Sequence, residues 1–270
     1  MAEHTALQEV IEDIREFFLN SQHWVYRSPG TLSQVSPDSV YHVTQIEVLF
    51  EDRHFHDRTY RALQQLLKDG FLRSRAVTVW DTSTILLWRS NVRYVERAIK
   101  SHLELMSRYS SQQMNKATGD YAELLTLMGL SRLHLDLVSR NSNSYRGKVW
   151  TASGHDLDFV MERDGLAYGI EVKNTYNYFP DHELEIKLKM CEYLELVPLF
   201  VVRHRHAKQW TLTRQHRGLL DVFKSKILPP GQSVLAQEIW QQMRLPVTVW
   251  SDWPGQFYPA IAKFLQERTK

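Results

Sequence analysis

The strongest constraint on the fold of this chain is a two-residue turn, Asp164-Gly165, between two runs of strand-forming residues. A type I′ hairpin turn requires positive φ at both central positions, and an Asp-Gly pair tolerates that conformation. Such a turn sets the register of the hairpin, because it pairs Arg163 with Leu166 and every later pair follows from that one. The stretch from 155 to 174 is therefore expected to form a β-hairpin of known register.

Continuing this register places four charged residues at the open end of the hairpin. Asp158 is expected opposite Glu171, and Asp156 opposite Lys173. Directly opposed side chains of an antiparallel pair have Cβ atoms about 5 Å apart, and like charges at such positions destabilise a sheet. The repulsion between Asp158 and Glu171 therefore requires compensation.

The alternation of side chains divides the hairpin into two faces. One face is apolar and is expected to be buried; it carries Leu157, Phe159, Met161, Tyr168, Ile170 and Val172. The other face carries the charged residues among smaller ones: Asp156, Asp158, Val160, Glu162, Ala167, Gly169, Glu171 and Lys173. This second face is either a solvated acidic surface or an ion site.

A divalent cation is the simplest compensation for the opposed acids. Mg²⁺ prefers carboxylate oxygens, keeps several waters and is usually held by only one or two carboxylates. Lys173 follows Glu171 by two residues on the same strand, so it points to the same side. We expect Lys173 to orient or deprotonate an attacking water.

Asp158, the hydrophobic hairpin and Glu171-Val172-Lys173 together resemble the motif of the PD-(D/E)xK nuclease superfamily. This superfamily has the restriction-endonuclease-like fold and includes Holliday-junction resolvases and many restriction and repair nucleases. The resemblance covers about the second half of the chain, and the motif is short and degenerate. The chain departs from the nominal motif by having Leu157, instead of proline, before the aspartate.

The resemblance implies a fold and a set of site residues. The fold is an α/β class with a restriction-endonuclease-like α/β/α core and a mixed sheet. One or two Mg²⁺ ions, for which Mn²⁺ can substitute, are implied to bind Glu123, Asp158, Glu171 and the Val172 carbonyl. Lys173 is implied to assist the attacking water, and hydrolysis is implied to leave a 5′-phosphate.

Two of these assignments have competitors. Asp156 is a rival to Asp158 as the metal-binding aspartate, and Asp158 is preferred because it is expected to face Glu171. Glu123 is expected near the first turn of a helix from about 120 to 128, where an acid also suits the helix dipole. On the helix expected after Asp181, Lys189 and Tyr193 have the spacing of a glutamine-and-tyrosine motif from one nuclease branch, although a helical ion pair of Lys189 with Glu185 is the more ordinary explanation.

The first part of the chain has a different pattern. Three predicted helices are followed by two short strand-forming runs, and the segment TYRALQQLLKDGFL looks like part of a winged helix-turn-helix domain. A domain of this kind binds duplex DNA or serves as a module for dimerisation or protein docking. We place this mostly helical domain at 1–108 and the nuclease-like domain at 109–270, with the boundary in the polar segment SRYSSQQMNKATG.

Basic residues in both parts are candidates for contacts to DNA. The formal net charge is only +2, so nucleic-acid affinity must come from local patches. The candidates are Arg58, Arg61, Lys68, Arg73 and Arg75 in the first domain, and Arg146 and Lys148 in a loop of the second.

The remaining composition indicates the compartment. The single cysteine, Cys191, excludes an intrachain disulfide and a cysteine zinc cage, and fits a reducing environment. The beginning of the sequence is acidic instead of basic and apolar, and no apolar run approaches ~20 residues. We therefore expect a cytoplasmic protein that does not span a membrane.

These observations lead to one main hypothesis, a metal-dependent DNA endonuclease whose winged helix binds the duplex or selects the site. A homodimer is expected if both strands are cut. The rival hypothesis is a non-catalytic DNA-binding regulator or assembly subunit on a nuclease-like fold. A third alternative is a nuclease that acts on branched DNA, single strands or RNA.

Overall fold

The computed structural model describes residues 2–20, 23–28, 31–35, 40–92, 95–253 and 258–268. The chain forms two compact units. The first consists of Met1–Asn115 together with Val234–Leu245, and the second of Lys116–Ser233 together with Pro246–Lys270. The units thus divide at 115/116 where the sequence led us to expect 108/109, and a late segment belongs to the first unit.

Two physical features account for this difference. The polar segment that was expected to be a linker contains good helix formers, and it continues as the helix Gln112–Arg132. The late segment is held to the first unit by its own contacts: the Gln45 side-chain amide donates a 2.8 Å hydrogen bond to the Met243 carbonyl, and Arg108 forms an ion pair with Glu238.

The first unit begins with helices and a small antiparallel sheet. Its strand order is β3-β5-β4, with a separate hairpin of β1 and β2. The elements in chain order are α1 (Ala2–Asn20), β1 (His23–Ser28), β2 (Thr31–Val35), β3 (Tyr41–His42), α2 (Val43–Phe50), α3 (His56–Lys68), β4 (Leu72–Val79), β5 (Thr82–Arg89) and α4 (Glu96–Tyr109).

The core of this unit is formed by the three helices and the sheet. Amphipathic spacing directs one face of α1, α2 and α3 inward, where it meets residues of β3, β4 and β5. Fully buried members include Ile14, Ile46, Leu63, Leu66 and Leu87. Gly70, two residues after the end of α3, has a φ of 71°, which glycine readily adopts.

The second unit contains a mixed five-stranded sheet of order β12-β11-β10-β9-β6. Its elements, with the helix that returns to the first unit, are α5 (Gln112–Arg132), β6 (Asp136–Ser142), β7 (Ser144–Tyr145), β8 (Lys148–Val149), β9 (Leu157–Arg163), β10 (Leu166–Lys173), α6 (Asp181–Tyr193), β11 (Val197–Val202), α7 (Ala207–Gln215), β12 (Leu219–Val222), β13 (Lys226–Leu228), α8 (Ser233–Met243), β14 (Val247–Val249) and α9 (Tyr258–Gln266). None of the described helices has a stretch long and apolar enough to cross a bilayer.

The strand directions show the expected antiparallel β-hairpin, which is followed by a parallel crossover. β9 is antiparallel to both β6 and β10, whereas β10, β11 and β12 run parallel. The parallel step from β10 to β11 passes through α6, and β11 is the apolar run expected for a buried parallel strand. The last strand, β14, pairs with β13 in a separate two-stranded sheet and does not extend the main one.

Helices contribute to hydrophobic clusters on both faces of the main sheet. Residues of α5 and α9 pack with one set of sheet residues, and residues of α6 pack with the other. The second unit is therefore an α/β structure with a mixed sheet between helical layers.

The hairpin register is confirmed. Asp164 and Gly165 have φ values of 50° and 78°, and Arg163 pairs with Leu166. The ladder continues to the pair of Phe159 with Ile170.

Of the two alternatives for the charged face, the solvated acidic surface is wrong. Val160 and Ala167, from the face with the charges, are buried in the cluster that contains α6. Leu157, which was expected on the apolar face with Phe159, packs in that same cluster. Since α6 covers this face, the acids of the hairpin are placed against a helix and not in bulk water.

Close packing of α5 yields a stability prediction. A Cβ added at Gly129 would lie 1.6 Å from a ring atom of Trp253, whereas one added at Gly119, in the same helix, meets nothing within 4 Å. We expect Gly129→Ala to lower the free energy of unfolding by about 1–3 kcal/mol because the core is overpacked. Gly119→Ala is the matched control and should raise it by about 1 kcal/mol.

Urea unfolding of the two variants measures both effects. Equal midpoints for Gly129→Ala and the wild type would contradict the packing of α5 against Trp253.

Candidate functional site

The candidate site lies where β9 begins and β10 ends. Asp158 is the next residue after the last ladder pair, so the register places it opposite Glu171. Its Oδ2 accepts a 2.7 Å hydrogen bond from the Val172 backbone N–H. The carboxyl group is thus fixed across the strand pair, and its Oδ1 accepts no hydrogen bond from the described part of the chain.

Glu171 is a buried carboxylate held by two lysines. The residue is 1% exposed. Lys173 Nζ lies 3.0 Å from its Oε1, and Lys187 Nζ lies 2.6 Å from its Oε2. A buried charge is tolerated only when it is paired and hydrogen-bonded, and both oxygens of Glu171 meet this condition.

Lys187 is the residue of the site that sequence reasoning missed. It is 4% exposed, and it also donates a hydrogen bond to the Asp156 carbonyl. The residue considered on this helix was Lys189, which is exposed. A usable signal was present, because Lys187 falls within the inward stripe of Leu184, Leu188 and Cys191.

Lys173 is held between two carboxylates. Its Nζ is 3.0 Å from Glu171 and 2.7 Å from Glu183. Burial lowers the pKa of Lys173, but Glu171 and Glu183 together raise the pKa by more, so the net shift is upward. Lys173 is therefore an ammonium ion at neutral pH, and deprotonation of a water by this group, as expected from the sequence, is not supported in this arrangement.

The repulsion between Asp158 and Glu171 is relieved by a proton on Asp158 and by the two lysines that contact Glu171. Burial, followed by the charge of Glu171, raises the pKa of Asp158 to about 8; the hydrogen bond from Val172 acts in the opposite direction, and Glu123 adds to the rise. Asp158 therefore carries a proton at neutral pH. A proton and two lysines therefore relieve the repulsion, in addition to the divalent cation that the sequence suggested as the simplest compensation.

Glu123 lies close enough to Asp158 to raise the pKa of its carboxyl group. It is in the middle of α5 and not in its first turn, which removes the helix-dipole explanation. Burial, then Asp120, raises the pKa of Glu123, and Glu171 contributes to the rise. Its Oε2 is 4.0 Å from Arg140.

The position of α5 next to β10 is stabilised by Asn174, the residue after Lys173. Its buried side-chain amide donates to the carbonyls of Thr118 and Ile227 at 3.0 and 2.8 Å, and its oxygen accepts from the Ile227 N–H at 2.9 Å. One side chain thus ties the helix that bears Glu123 to the strand that bears Glu171.

Asp156 is not part of this cluster. Its side chain is exposed, and only its backbone carbonyl interacts with Lys187. The geometry thus agrees with the preference for Asp158. In the described residues no three acidic, histidine or cysteine side chains converge into a preformed metal cage.

The predicted DNA contacts of the first unit fall into two groups. Arg61 pairs with Asp57 at 3.1 Å, and Arg75 forms two hydrogen bonds with Glu96 at 2.9 and 2.6 Å. Pairing reduces the charge that these side chains offer to a phosphate. Arg58, Lys68 and Arg73 are exposed and form no ion pair within the described part of the chain.

The two candidates of the second unit are also paired. Arg146 is 3.1 Å from Glu162, and Lys148 is 2.8 Å from Glu195. Neither lies in the acid cluster. Their proposed phosphate contacts would require these exposed ion pairs to open, which costs little.

Comparison of the chain with protein-family models, with curated proteins and with solved structures found no match. Functional inference therefore depends on the geometry of the residues themselves.

The buried ion pair leads to a prediction about stability. Lys187→Met leaves Glu171 with one lysine, and Glu171→Gln leaves Lys187 buried without a counterion. Removing one partner of a buried pair costs roughly 3–5 kcal/mol, so each single variant should be strongly destabilised. The double variant should lose clearly less free energy of unfolding than the two single variants lose in sum. Chemical denaturation in the presence of a chelator measures the cycle, and strict additivity would contradict the pairing.

The raised pKa of Asp158 leads to a prediction about pH. The folded pKa of about 8 exceeds the ordinary value of 3.8, so the contribution of this proton to stability is complete below pH 3.8 and is lost as pH rises through 8. Asp158→Asn imitates the protonated group. With chelator present, its melting temperature should exceed that of the wild type at pH 9 and match it near pH 4.

Glu162→Gln, at a partly exposed position of the same strand, is the control for the pH series. A wild type and an Asp158→Asn variant with parallel pH profiles would show that Asp158 is not protonated in the folded protein.

Proposed function

We propose that this protein is a metal-dependent DNA endonuclease of the PD-(D/E)xK type. The observation that carries the proposal is the placement of Asp158 against Glu171, with Lys173 on the same strand. Glu123, on the preceding helix, influences the same carboxyl group. A mixed sheet between helices is also the architecture that the resemblance implies.

The donor set fits a hard divalent cation. Asp158, Glu171 and Glu123 offer only oxygen ligands, which Mg²⁺ and Mn²⁺ prefer. Burial, with the charge of Glu171 at Asp158 and that of Asp120 at Glu123, raises the pKa of these two carboxyl groups. Together with the Val172 carbonyl, these groups would hold the ion. When bound, Mg²⁺ would neutralise charge on the phosphate and acidify a nearby water.

The side chains of the site have distinct roles in this proposal. Asp158 would have to lose its proton before it could bind a cation. Cation affinity, and with it activity, should therefore rise with pH up to about 8. Lys173 stays protonated between Glu171 and Glu183, where it can donate a hydrogen bond to the attacking water or to a phosphate oxygen. Lys187 is a positioning residue, because it fixes Glu171 through Oε2.

Binding of the duplex is assigned to the first unit. Three helices, α1, α2 and α3, pack with the three-stranded antiparallel sheet of β3, β4 and β5, and this arrangement supports the winged-helix interpretation. Arg58 at the start of α3, Lys68 at its end and Arg73 on β4 are exposed and supply positive charge for phosphate contacts. A homodimer remains part of the proposal if both strands are cut.

One observation favours a second candidate, a non-catalytic DNA-binding subunit. Both oxygens of Glu171 are occupied by lysines, so this network is electrostatically satisfied without a metal ion. A protein that used the fold only as a platform could retain such a network for stability. The two candidates differ in whether DNA is cut.

Cleavage of supercoiled plasmid with Mg²⁺, Mn²⁺ or chelator separates the candidates. We expect metal-dependent cutting that Asp158→Asn, Glu171→Gln and Lys173→Met each reduce by on the order of 100-fold or more. Asp156→Asn is the matched control, because its side chain is exposed and only its carbonyl is used. It should cut like the wild type.

The same assay on branched DNA, single strands and RNA defines the substrate. Folded variants that cut as fast as the wild type, or cutting that persists in chelator, would contradict the metal site. DNA binding without cleavage of any substrate would support the non-catalytic subunit.

A further inference from the structure

A basic pocket lies in the second unit, away from the acid cluster. It has a volume of about 650 Å³ and is formed by α7, the edge strand β12 and α9. Its polar and aromatic lining residues include Trp210, Arg214, Arg217, Lys263, Phe264 and Arg268. In the main sheet, β11 separates β12 from the strand that bears Glu171 and Lys173, so the pocket and the candidate metal site are different places.

The pocket has a surplus of positive charge. Four of its lining residues are cations, and the one carboxylate in the lining, Glu267, lies 3.9 Å from Lys263. Within the part of the chain that the structure describes, Arg214, Arg217 and Arg268 have no carboxylate within ion-pair distance. Burial lowers the pKa of Arg268, and the charge of Arg217 adds to this shift. Like charges gathered in one concavity attract an anion from solution.

Aromatic rings hold two of these guanidinium groups in place. Arg214 lies 4.7 Å from the centre of the Trp210 ring, and Arg268 lies 4.6 Å from that of Phe264. A guanidinium that stacks on a ring keeps its N–H edge available for a planar or tetrahedral oxyanion. Stacking thus restricts the arginines before any ligand arrives.

An unsatisfied donor gives independent support for a ligand. The Nε atom of Arg268 is buried and has no hydrogen-bond partner among the residues that the structure describes. Buried donors are nearly always paired, and this unpaired donor belongs to a residue that lines the pocket.

The size and the apolar lining exclude a bare anion as the best occupant. Pockets for small organic ligands have volumes of ~300–1,000 Å³, far more than phosphate needs. Leu219, Leu220 and Ala260 line the same space and suit a sugar or a base. Arginine forks match phosphate oxygens in pairs.

We propose that this pocket binds a 5′-phosphorylated nucleotide, either free or as the terminal residue of a nucleic-acid strand. The phosphate meets Arg217 and Arg268, and the nucleoside lies along the apolar wall. This proposal does not depend on the nuclease activity proposed above.

Calorimetric titration of the full chain, in chelator, tests the pocket separately from the acid cluster. The probes are deoxyadenosine 5′-monophosphate, deoxyadenosine, inorganic phosphate and a short single-stranded oligonucleotide with either a 5′-phosphate or a 5′-hydroxyl. We expect the monophosphate to bind and deoxyadenosine not to bind. Tighter binding of the 5′-phosphorylated oligonucleotide than of the monophosphate would identify a strand end as the ligand, whereas the reverse order would identify a free nucleotide.

Variants localise the binding. Arg217→Gln with Arg268→Gln should weaken the monophosphate complex by about tenfold or more, since two charged hydrogen bonds are lost. Arg214→Gln, at an exposed position, should weaken it by a smaller factor and is the second test if the double variant fails to fold. Lys189→Gln, exposed on α6, and Asp158→Asn should bind like the wild type.

Three results would overturn the proposal. These are no binding of any probe, inorganic phosphate binding as tightly as the monophosphate, and folded arginine variants binding as tightly as the wild type. Loss of nucleotide binding in Asp158→Asn would also overturn it, because the ligand would then occupy the acid cluster.

Discussion

A buried carboxylate dominates the second unit of this protein. Glu171 is 1% exposed at the end of β10, and its charge is tolerated because Lys173 and Lys187 each bind one of its oxygens. This requirement links a strand to the helix α6 that covers it. It also leaves little positive charge for Asp158, which holds a proton with a pKa of about 8. In the function proposed here, a divalent cation takes the place of this proton.

The mixed sheet explains why these groups meet. An antiparallel hairpin brings Asp158 next to the end of β10, and the parallel crossover through α6 returns Lys187 over the same point. Asn174 then ties α5, with Glu123, to the neighbouring loop. Residues that are far apart in sequence are therefore fixed on four elements, and the charged groups are concentrated at one end of the central strand.

Local rules predicted part of this arrangement. The Asp164-Gly165 turn was sufficient for the register, because turn geometry depends on adjacent residues. The alternation of residues along the strands did not predict that both faces of the hairpin are buried. The charged face is covered by α6, and a strand pattern does not reveal which element packs on it. Lys187 was missed because a lysine on a helix is ordinarily solvated. The basic pocket joins residues from 210 to 268, and no short-range pattern relates them.

The central claim is that Asp158 and Glu171 bind a divalent cation that the paired lysines only partly replace. Anomalous diffraction from crystals soaked in Mn²⁺ at pH 8 tests it most directly, because it locates the ion without reference to activity. The account predicts an anomalous peak bound to the carboxylate oxygens of Asp158 and Glu171, with Glu123 adjacent and Asp158→Asn lacking the peak. A well-ordered acid cluster with no peak there, and with Glu171 still held by both lysines, would contradict it.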